Sequence, residues 1–409
     1  MLGAIADDFT GATDLATMLR RSGHRTTVVI EDGGPSAEQI AGSDAVVVAL
    51  KSRTAAADEA AADSVRALRR LRGWGATRFY AKYCSTFDST DAGNIGPVLD
   101  ALRAELGASR CVVVPSLPAN GRTVYSGHLF VNGELLEDSP MRHHPLTPMT
   151  RSRVADLLRP QTADHAVDEV PHSVVRAGAD ALRSALDALA APYAVVDAIS
   201  DEDLVAIGRA VQDDPLVSGG SGLALGLPGP GAEEDDWRPP EDGRSAVLCG
   251  SVSRTTLAQI DVASRTQPVR RIDLDGAVAD PEGTARALAI WVLEQDADAR
   301  PVVCAARDRS DVRALHGGSE VAPLVERILA ETARRLVAAG VRRLVVAGGE
   351  SSGAVVRSLG IESMRIGPEL APGVCWSLAD ASGIRIAIAL KSGNFGDDDL
   401  FVSAWERLS

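Results

Sequence analysis

Short apolar runs that alternate with helical patterns are the feature that most restricts how this chain can fold. The predicted elements of residues 1–110 are the strands Leu2–Ala6, Thr26–Ile30, Ala45–Leu50 and Arg78–Lys82 and the helices Asp14–Arg21, Ala55–Leu71 and Asn94–Leu106. Strands that alternate with helices favour a parallel sheet with right-handed crossovers. The same alternation returns after residue 244, so we predict an α/β fold with two domains, each a largely parallel sheet flanked by helices.

Polar loops follow three of the first four strands. They are Asp7-Asp8, Lys51–Thr54 and Lys82–Asp88. The carboxyl ends of parallel strands meet at one edge of a sheet, where open α/β sheets bind ligands. We therefore expect two or three carboxylates to lie beside Lys51, Arg53 and Lys82. The alternative for the first loop is that Thr10 or Thr13 only caps the helix that follows.

Lysine is scarce in this chain. Of 42 basic residues only Lys51, Lys82 and Lys391 are lysines, and each ends an apolar run beside hydroxyl residues. A lysine is a compact point charge, whereas an arginine is a wide planar fork. We therefore expect these lysines at positions where arginine is no substitute, although a chance remainder of a compositional bias is the alternative.

Composition and charge exclude several classes of protein. The net charge of −14 disfavours nucleic acid as a partner, because it repels phosphates. No apolar run approaches the ~20 residues of a membrane span, and the chain enters its first strand at Leu2 without a signal peptide. The five scattered cysteines show no metal-binding spacing. We expect a cytoplasmic protein with no membrane or nucleic-acid partner. The sequence leaves undecided whether the chain forms a homo-oligomer.

The segment Pro228–Gly243 is the clearest domain boundary, because it is acidic, rich in Pro and Gly, and without periodicity. We predict domains at residues 1–227 and 244–409 joined by a linker at 228–243. Within the first domain, the Pro-rich loop Met141–Met149 carries Arg142, which we expect to orient on a substrate together with a histidine. A plain surface loop is the alternative.

Three glycine-rich turns follow strands of the second half. They are Gly250–Ser253, Gly348–Gly353 and Lys391–Gly396. Free backbone N–H groups and a helix dipole make such turns good anion sites. None of these turns has the GxxxxGK[ST] pattern of a P-loop. The chain also lacks a GxGxxG pattern after its first strand, and this second absence argues against a dinucleotide-binding dehydrogenase. The alternative for Gly348, Gly349 and Gly353 is that they only permit close helix packing and bind no anion.

The two halves therefore differ in chemistry. Carboxylates and cations in the first suit a small polyhydroxylated acid, and glycine turns in the second suit phosphates. This arrangement is the one expected of a small-molecule kinase, with the active site in the cleft between domains and an acid that receives the hydroxyl proton.

Motifs along nearly the whole chain resemble the four-carbon acid sugar kinase family, and within it the 3-oxo-tetronate branch. They are ADDFTGATD, LKSRT, KYCSTFDSTDAGNIGP, NGRTVYSGHLFVNG, MRHHPLTPM, GGSGLALGLP, GSVSRTT, GGESSGAVVRSLG, IGPELAPGVCW and ALKSGNFG. The resemblance implies a sugar-acid domain, a nucleotide domain, and ATP-dependent phosphorylation of the C4 hydroxyl of a 3-dehydrotetronate. Kinases of D-threonate or D-erythronate are the nearest alternative, and a non-catalytic sugar-acid sensor is a more remote one.

The resemblance also implies site residues. For the substrate these are Asp7 or Asp8, Arg53, Lys82, Tyr83, Cys84 and Ser85, and for ATP they are Ser251 or Ser253, Gly348, Gly349, Glu350, Ser351 and Gly393.

The residue types allow narrower expectations. A bidentate bond from Arg53, assisted by Lys82, suits the substrate carboxylate. Asp8 or Asp7 would orient hydroxyls, and Asp7, Asp8 or Asp88 would be the base. Lys391 would approach the γ-phosphate, with Mg²⁺ bridging phosphates through few protein ligands.

Overall fold

The chain was analysed as a computed structural model, which describes residues 1–30, 33–35, 37–144, 147–231, 237–307, 311 and 321–408. It divides into two compact units, Met1–Glu234 and Asp235–Ser409. Each unit is an α/β structure with a mostly parallel sheet, which confirms the predicted fold class. Residues 232–236 of the predicted linker lie outside the described residues.

The first unit contains eleven described strands and eight described α-helices. The strands are β1 (Leu2–Ala6), β2 (Thr26–Ile30), β3 (Ala45–Ala49), β4 (Arg78–Lys82), β5 (Cys111–Val114), β6 (Arg122–Tyr125), β7 (His128–Val131), β8 (Glu134–Leu135), β9 (Val167–Val170), β10 (Tyr193–Val196) and β11 (Leu216–Gly219). The helices are α1 (Phe9–Arg21), α2 (Ala37–Ile40), α3 (Ala57–Gly73), α4 (Ile95–Leu106), α5 (Val154–Leu158), α6 (His172–Arg176), α7 (Ala179–Asp187) and α8 (Asp201–Ala210).

The main sheet of this unit has the order β2-β3-β1-β4-β11-β5-β10-β9, and its described pairs are parallel. Ala6 at the end of β1 pairs with Ala49 of β3 and with Lys82 of β4, so these three strands end at one level. The chain leaves β1 toward β2 and later crosses to β4 on its other side. The edge beyond β1 is therefore a topological switch point, where such sheets bind ligands.

Local differences from the predicted elements have identifiable causes. Helix α1 begins at Phe9 because the Asp8 carboxylate accepts a hydrogen bond from the backbone N–H of Gly11, so Asp8 rather than Thr10 or Thr13 is the cap. The segment Val124–Val131, whose sequence suggests a hairpin-like segment before the Asn132-Gly133 turn, contains a turn of its own. Ser126 and Gly127 there have positive φ angles of 50° and 76°, which turns β6 into β7.

The second unit contains seven described strands and six described α-helices. The strands are β12 (Arg244–Cys249), β13 (Val269–Arg271), β14 (Val302–Cys304), β15 (Val341–Ala347), β16 (Ser363–Ala371), β17 (Val374–Ala381) and β18 (Ile384–Lys391). The helices are α9 (Arg254–Ser264), α10 (Leu274–Ala279), α11 (Pro281–Glu294), α12 (Val321–Ala338), α13 (Gly349–Ser358) and α14 (Leu400–Ser403).

The sheet of this unit is mixed. Strands β13-β14-β12-β15-β18 are parallel, whereas β17 pairs antiparallel with both β18 and β16. The loops after β12 and β15 again lie at a switch point. The segment Gly367–Trp376 was not predicted as strand, and it forms the β16–β17 hairpin instead. Its turn lies at Gly373, whose φ of 76° suits glycine.

The core of each unit forms around its sheet. The central strands β1, β3 and β5 are buried along their whole length, as expected for parallel strands covered on both faces. Among the helices that the structure describes, none combines the length and apolarity needed to cross a membrane.

Candidate functional site

The ends of β1, β3 and β4 bring charged side chains together in the first unit. The backbone N–H groups of Ser52 and Arg53 donate to the carbonyl of Asp7 at 2.9 and 3.1 Å, and the N–H of Asp7 donates to the carbonyl of Lys82 at 3.1 Å. These bonds continue the sheet by one residue beyond its strands. The loops that carry Asp7, Arg53 and Lys82 are thereby fixed to one another.

Arg53 is bound by both adjacent acids. Its Nε and Nη2 donate to Asp7 Oδ2 and Oδ1 at 2.8 and 2.9 Å, and its Nη1 lies 2.8 Å from Asp8 Oδ2. Burial opposes the charge of Arg53, but the carboxylates of Asp7 and Asp8 outweigh it, so the pKa of Arg53 lies above its ordinary value. Asp7 occupies the Nε–Nη2 edge of the guanidinium, so the bidentate bond expected from Arg53 to a substrate carboxylate stays a prediction that requires Asp7 to give up that edge.

Asp8 has a different environment from Asp7. Its Oδ1 accepts the N–H of Gly11 at 2.7 Å, while Oδ2 faces Arg53. Burial raises the pKa of Asp8 above its ordinary value against the opposing charge of Arg53, and the neighbouring carboxylate of Asp7 adds to the increase. A carboxylate with a raised pKa is better suited to accept a proton.

Lys82 is a buried ammonium at the centre of this cluster. Its side chain is 5% exposed, and its Nζ donates to the carbonyl of Tyr83 at 2.9 Å. A Cβ atom at Gly11 would lie only 2.9 Å from this Nζ and 2.4 Å from Asp8 Oδ1, so a side chain at position 11 would displace the ammonium or the carboxylate. An ammonium has three N–H donors, and one bond to Tyr83 leaves donors for an anionic ligand.

Asp14 belongs to the same electrostatic environment, although it is absent from the predicted site residues. Burial raises the pKa of Asp14, and the charge of Lys82 and the hydroxyl of Ser221 oppose that increase. Ser221 lies in the glycine-rich loop after β11, where a Cβ at Gly220 would come within 3.4 Å of Ser85. The spacing of Asp14 three residues after Gly11, on one face of α1, was the available signal.

Asn94 is a second residue that the sequence did not assign to the site. It is 8% exposed, and its Nδ2 donates to the carbonyls of Ser52, Ala55 and Arg53 at 2.8, 3.0 and 3.4 Å. These contacts join the start of α4 to the loop after β3. Asn94 therefore fixes the backbone that carries the Arg53 side chain.

The segment after β4 divides between core and site. Tyr83 is 3% exposed, its ring meets Phe87 edge to face, and its hydroxyl lies 3.3 Å from Ser218 Oγ, so its predicted role as a substrate ligand is corrected to a core position. Cys84 and Ser85 are both half-buried. Burial raises the pKa of the Cys84 thiol to about 11, so that it stays protonated.

Asp88 is engaged by this same segment. Thr86 Oγ1 donates to Asp88 Oδ1 at 2.6 Å and lies 3.0 Å from Cys84 Sγ. The thiol, the hydroxyl and the carboxylate thus form one chain of polar contacts. Asp88 is bound locally, and no described contact joins it to Arg53 or Lys82.

Two predicted cations lie apart from the cluster. Arg142 is exposed on the 3₁₀ turn Pro140–His143 and donates to the carbonyl of Glu137 at 3.0 Å, and Lys51 is also exposed. Among the described contacts none joins either residue to Asp7 or Asp8, so the expected place of Lys51 beside the carboxylates is corrected. The expected role of Arg142 in orienting on a substrate stays a prediction. Residues 145 and 146 of the same loop lie outside the described residues.

The second unit contains a cavity of about 600 Å³. Its lining residues are Gly250, Ser251, Val252, Ala305, Val321, Ala322, Val325, Glu326, Gly348, Gly349, Glu350, Ser351 and Gly393. One wall is the N-terminus of α13, whose first N–H groups and dipole favour anions. The opposite part is apolar and contains Val321 and Val325 of α12.

Glycines at the cavity wall allow the backbone of one turn to approach the serine side chains of the neighbouring turns. A Cβ at Gly250 would lie 1.9 Å from Ser351 Oγ, and one at Gly393 would lie 2.6 Å from Ser251 Oγ. Gly348, with a φ of 123°, leads directly into α13. The three predicted glycine turns therefore do meet at one cavity, since each contributes lining residues.

Ser253 and Lys391 support this cavity without lining it. Ser253 Oγ accepts the N–H of Thr256 at 3.1 Å, which caps α9, and donates to the carbonyl of Gly393. Lys391 is 2% exposed, and its Nζ donates to Thr256 Oγ1 and to the Gly393 carbonyl at 2.9 and 3.1 Å. The expected approach of Lys391 to a γ-phosphate is corrected, because its ammonium is buried behind the turn.

These features define a two-unit α/β protein with a buried charged cluster at the strand ends of one unit and a glycine-lined cavity in the other. The family model described as a sugar-binding N-terminal domain matches residues 2–227, and the one described as a nucleotide-binding C-terminal domain matches residues 246–401. The chain belongs to the four-carbon acid sugar kinase family, which confirms the resemblance seen in its motifs.

Individual relatives and one solved structure are similar to this chain over nearly its whole length. A 3-oxo-tetronate kinase of Salmonella typhimurium is 43% identical over 98% of both chains, and one of Cupriavidus necator is 45% identical over 100% of this chain and 97% of its own. The crystal structure of a Salmonella typhimurium LT2 protein, provisionally described as a tRNA synthase, has a TM-score of 0.91 and 42% identity over 98% of both chains.

Proposed function

We propose that this protein is an ATP-dependent kinase that transfers a phosphoryl group to the C4 hydroxyl of a 3-oxo-tetronate, 3-dehydro-L-erythronate or 3-dehydro-D-erythronate, in the cytoplasm. The observation that carries the proposal is the similarity to relatives named 3-oxo-tetronate kinase, at 43–45% identity across both units. The charged cluster of the first unit and the cavity of the second supply what such a reaction requires.

The first unit would hold the sugar acid. Lys82 offers N–H donors to the substrate carboxylate or to the transferred phosphoryl group. The Arg53–Asp7 pair presents the remaining guanidinium N–H groups together with carboxylate oxygens, which suits a ligand with both acceptors and hydroxyls. The protonated Cys84 thiol and Ser85 lie next along the chain, where a ketone oxygen would need donors.

Proton transfer would fall to Asp8. The C4 oxygen attacks the γ-phosphorus, the bond from phosphorus to the β-phosphate bridging oxygen breaks, ADP leaves, and the hydroxyl proton passes to a carboxylate. Asp7 is occupied through both oxygens by Arg53, and Asp88 is bound by Thr86. Asp8 is engaged as well, by the Gly11 N–H and by Arg53, but burial raises its pKa, which suits a base, so we favour it over the other two.

The second unit would hold ATP and Mg²⁺. The N-terminus of α13 and the turns at Ser251 and Gly393 suit phosphates, and the apolar wall suits the base. Glu326 and Glu350 line the same cavity, and carboxylates of this kind bind Mg²⁺ directly or through water while phosphates supply its other ligands. When bound, Mg²⁺ would neutralise phosphate charge.

A coupled assay of ADP release tests the proposal. The purified chain is assayed with ATP, Mg²⁺ and each of the two 3-dehydroerythronates, D-threonate and D-erythronate. We expect turnover of a 3-dehydro acid with a kcat/KM at least tenfold above that of the non-oxidised acids, which is about 1.4 kcal/mol. Turnover of only the non-oxidised acids would assign the sister activity. Absence of turnover, together with no ATP-dependent rise in Tm, would leave a sugar-acid sensor and reject the kinase.

A further inference from the structure

Lys391 is a buried lysine directly beneath the cavity of the second unit. It ends β18, is 2% exposed, and donates from Nζ to Thr256 Oγ1 and to the Gly393 carbonyl. The Nζ also lies 5.7 Å from the centre of the Phe401 ring. An ammonium leaves water at a high cost unless its N–H groups are bound, so these contacts fix where Lys391 lies.

The Gly393 carbonyl collects three donors. Besides Lys391 Nζ, it accepts from Ser253 Oγ and from Thr256 Oγ1, the latter at 2.9 Å. Gly393 itself lines the cavity, and a Cβ there would lie 2.6 Å from Ser251 Oγ. The donors that hold the Gly393 carbonyl thus set the position of the turn at the cavity wall.

We propose that Lys391 is a positioning residue of the nucleotide site, whose ammonium holds the Gly393 turn from behind and adds positive charge to the phosphate pocket without touching the nucleotide. This role rests on the proposed ATP-dependent activity. It differs from a phosphate-binding lysine, because the Nζ is turned toward Thr256 and the Gly393 carbonyl rather than into the cavity.

The charge of Lys391 gives this role a signature in pH. Burial lowers the pKa of Lys391 to about 8, with Cys249 of β12 as the ionisable group facing it. The other partners of Lys391 among the described contacts are uncharged, namely the Thr256 hydroxyl of α9, the Phe401 ring of α14, the Gly393 carbonyl and the backbone of β15. Bound phosphates favour the protonated form, so ATP binding near pH 8 takes up a proton. The affinity for ATP is therefore highest below that pH, where Lys391 is protonated, and it falls as the pH rises through the pKa of Lys391.

The first test compares Lys391→Met with Arg286→Met, which removes an exposed positive charge from α11 of the same unit. Lys391→Met keeps the length of the side chain but removes the ammonium. We expect its Kd for ATP to rise by at least about tenfold, as for loss of a hydrogen bond to a charged group. The KM for the sugar acid stays within about twofold, and Arg286→Met leaves both constants unchanged.

The second test measures proton uptake by titration calorimetry at pH 8 in buffers of different ionisation enthalpy. The unaltered protein takes up a fraction of a proton with ATP, and Lys391→Met takes up none. Thr256→Val removes the hydroxyl between Lys391 and Gly393 and weakens ATP binding, whereas Thr256→Ser restores it. Thr256 Oγ1 also donates to Ser251 Oγ at the cavity wall, so if Lys391→Met fails to fold, the Thr256 variants support the role of Lys391 only if Thr256→Val also reduces the proton uptake with ATP, and an unchanged uptake refutes it.

Two outcomes separate this role from the proposed function. A folded Lys391→Met protein with unaltered ATP affinity and unaltered proton uptake would refute the positioning role alone. A protein that binds no ATP before any substitution would contradict the kinase activity as well.

Discussion

Arg53 contacts Asp7 side-on, with Nε and Nη2 donating to the two carboxylate oxygens at 2.8 and 2.9 Å. The pair joins the loops after β1 and β3, and the backbone N–H of Arg53 donates to the carbonyl of Asp7 as well. A substrate bound at this cluster, as proposed, would meet a fixed ion pair rather than a free guanidinium. Specificity would then depend on the geometry of the pair.

Replacement of Arg53 by lysine is the direct test of that geometry. Lysine keeps the charge but loses the planar fork, so Asp7 and Asp8 no longer share one partner. We expect kcat/KM for the sugar acid to fall by at least about tenfold, the equivalent of one hydrogen bond to a charged group. The assay is steady-state ADP release with the sugar acid varied and ATP saturating.

Arg69→Lys is the matched control. Arg69 makes the same two-bond contact with Glu105, at 3.1 and 2.7 Å, but its side chain is 64% exposed. An exposed ion pair contributes little, so activity and stability stay nearly unchanged. Equal kinetics for Arg53→Lys and the unaltered protein would show that the fork has no role at the site.

The sequence predicted which loops meet, because parallel strands place their carboxyl ends together. Asp7, Arg53 and Lys82 were brought together by this argument. The three glycine turns were predicted separately as anion sites, and their joint contribution to one cavity is a finding of the structure. Position along a strand end does not decide the direction of a side chain. Tyr83 follows Lys82 immediately, yet it enters the core, because successive side chains of an extended segment point to opposite faces.

Contacts between elements distant in the sequence were beyond prediction. Lys391 was expected at a phosphate because it ends a strand before a glycine turn, but Thr256 and Phe401 enclose its ammonium from separate helices. Asn94 likewise acts on a loop that ends about forty residues earlier. The residue pattern of one segment does not indicate which distant segments will contact it in the folded chain.

Gly11→Ala tests the close approach of α1 to Lys82. The added Cβ would lie 2.9 Å from Lys82 Nζ and 2.4 Å from Asp8 Oδ1, so either the ammonium or the cap must shift. We expect the KM for the sugar acid to rise at least about tenfold, because displacing one charged donor removes roughly 1.5–3 kcal/mol. The Kd for ATP stays unchanged.

Gly73→Ala is the control for this substitution, because it adds a methyl group at the end of α3 where no atom lies within 4 Å. It leaves the kinetics unchanged. If Gly11→Ala matched it in KM, the cap and the ammonium would tolerate a side chain, and their close approach would have no bearing on substrate binding.

Asn94→Asp tests the support of the Arg53 loop. The new carboxylate places an oxygen where Nδ2 donates to the carbonyls of Ser52 and Ala55, so the donor is lost and a negative charge faces partially negative carbonyl oxygens. An unmade buried bond costs about 1–3 kcal/mol, and we expect a loss of stability of that size in urea unfolding, with a fall in kcat/KM. Asn132→Asp, at an exposed turn with a φ of 53°, retains both values.

Asp14→Asn is expected to change stability and activity in opposite directions. Burial raises the pKa of Asp14 in the folded protein, so its contribution to stability is present below the unfolded pKa of about 3.9 and lost as pH rises through the folded pKa. The neutral amide avoids this loss, so the variant has the higher Tm at pH 7, and the difference disappears toward pH 3.5. The kcat/KM for the sugar acid falls, because Lys82 loses a counter-charge.

Asp201→Asn, which removes a carboxylate from the first turn of α8, gives no such gain in Tm, because that charge favours its helix. Calorimetry at both pH values checks the sign, and a variant less stable at pH 7 than the unaltered protein would contradict the argument.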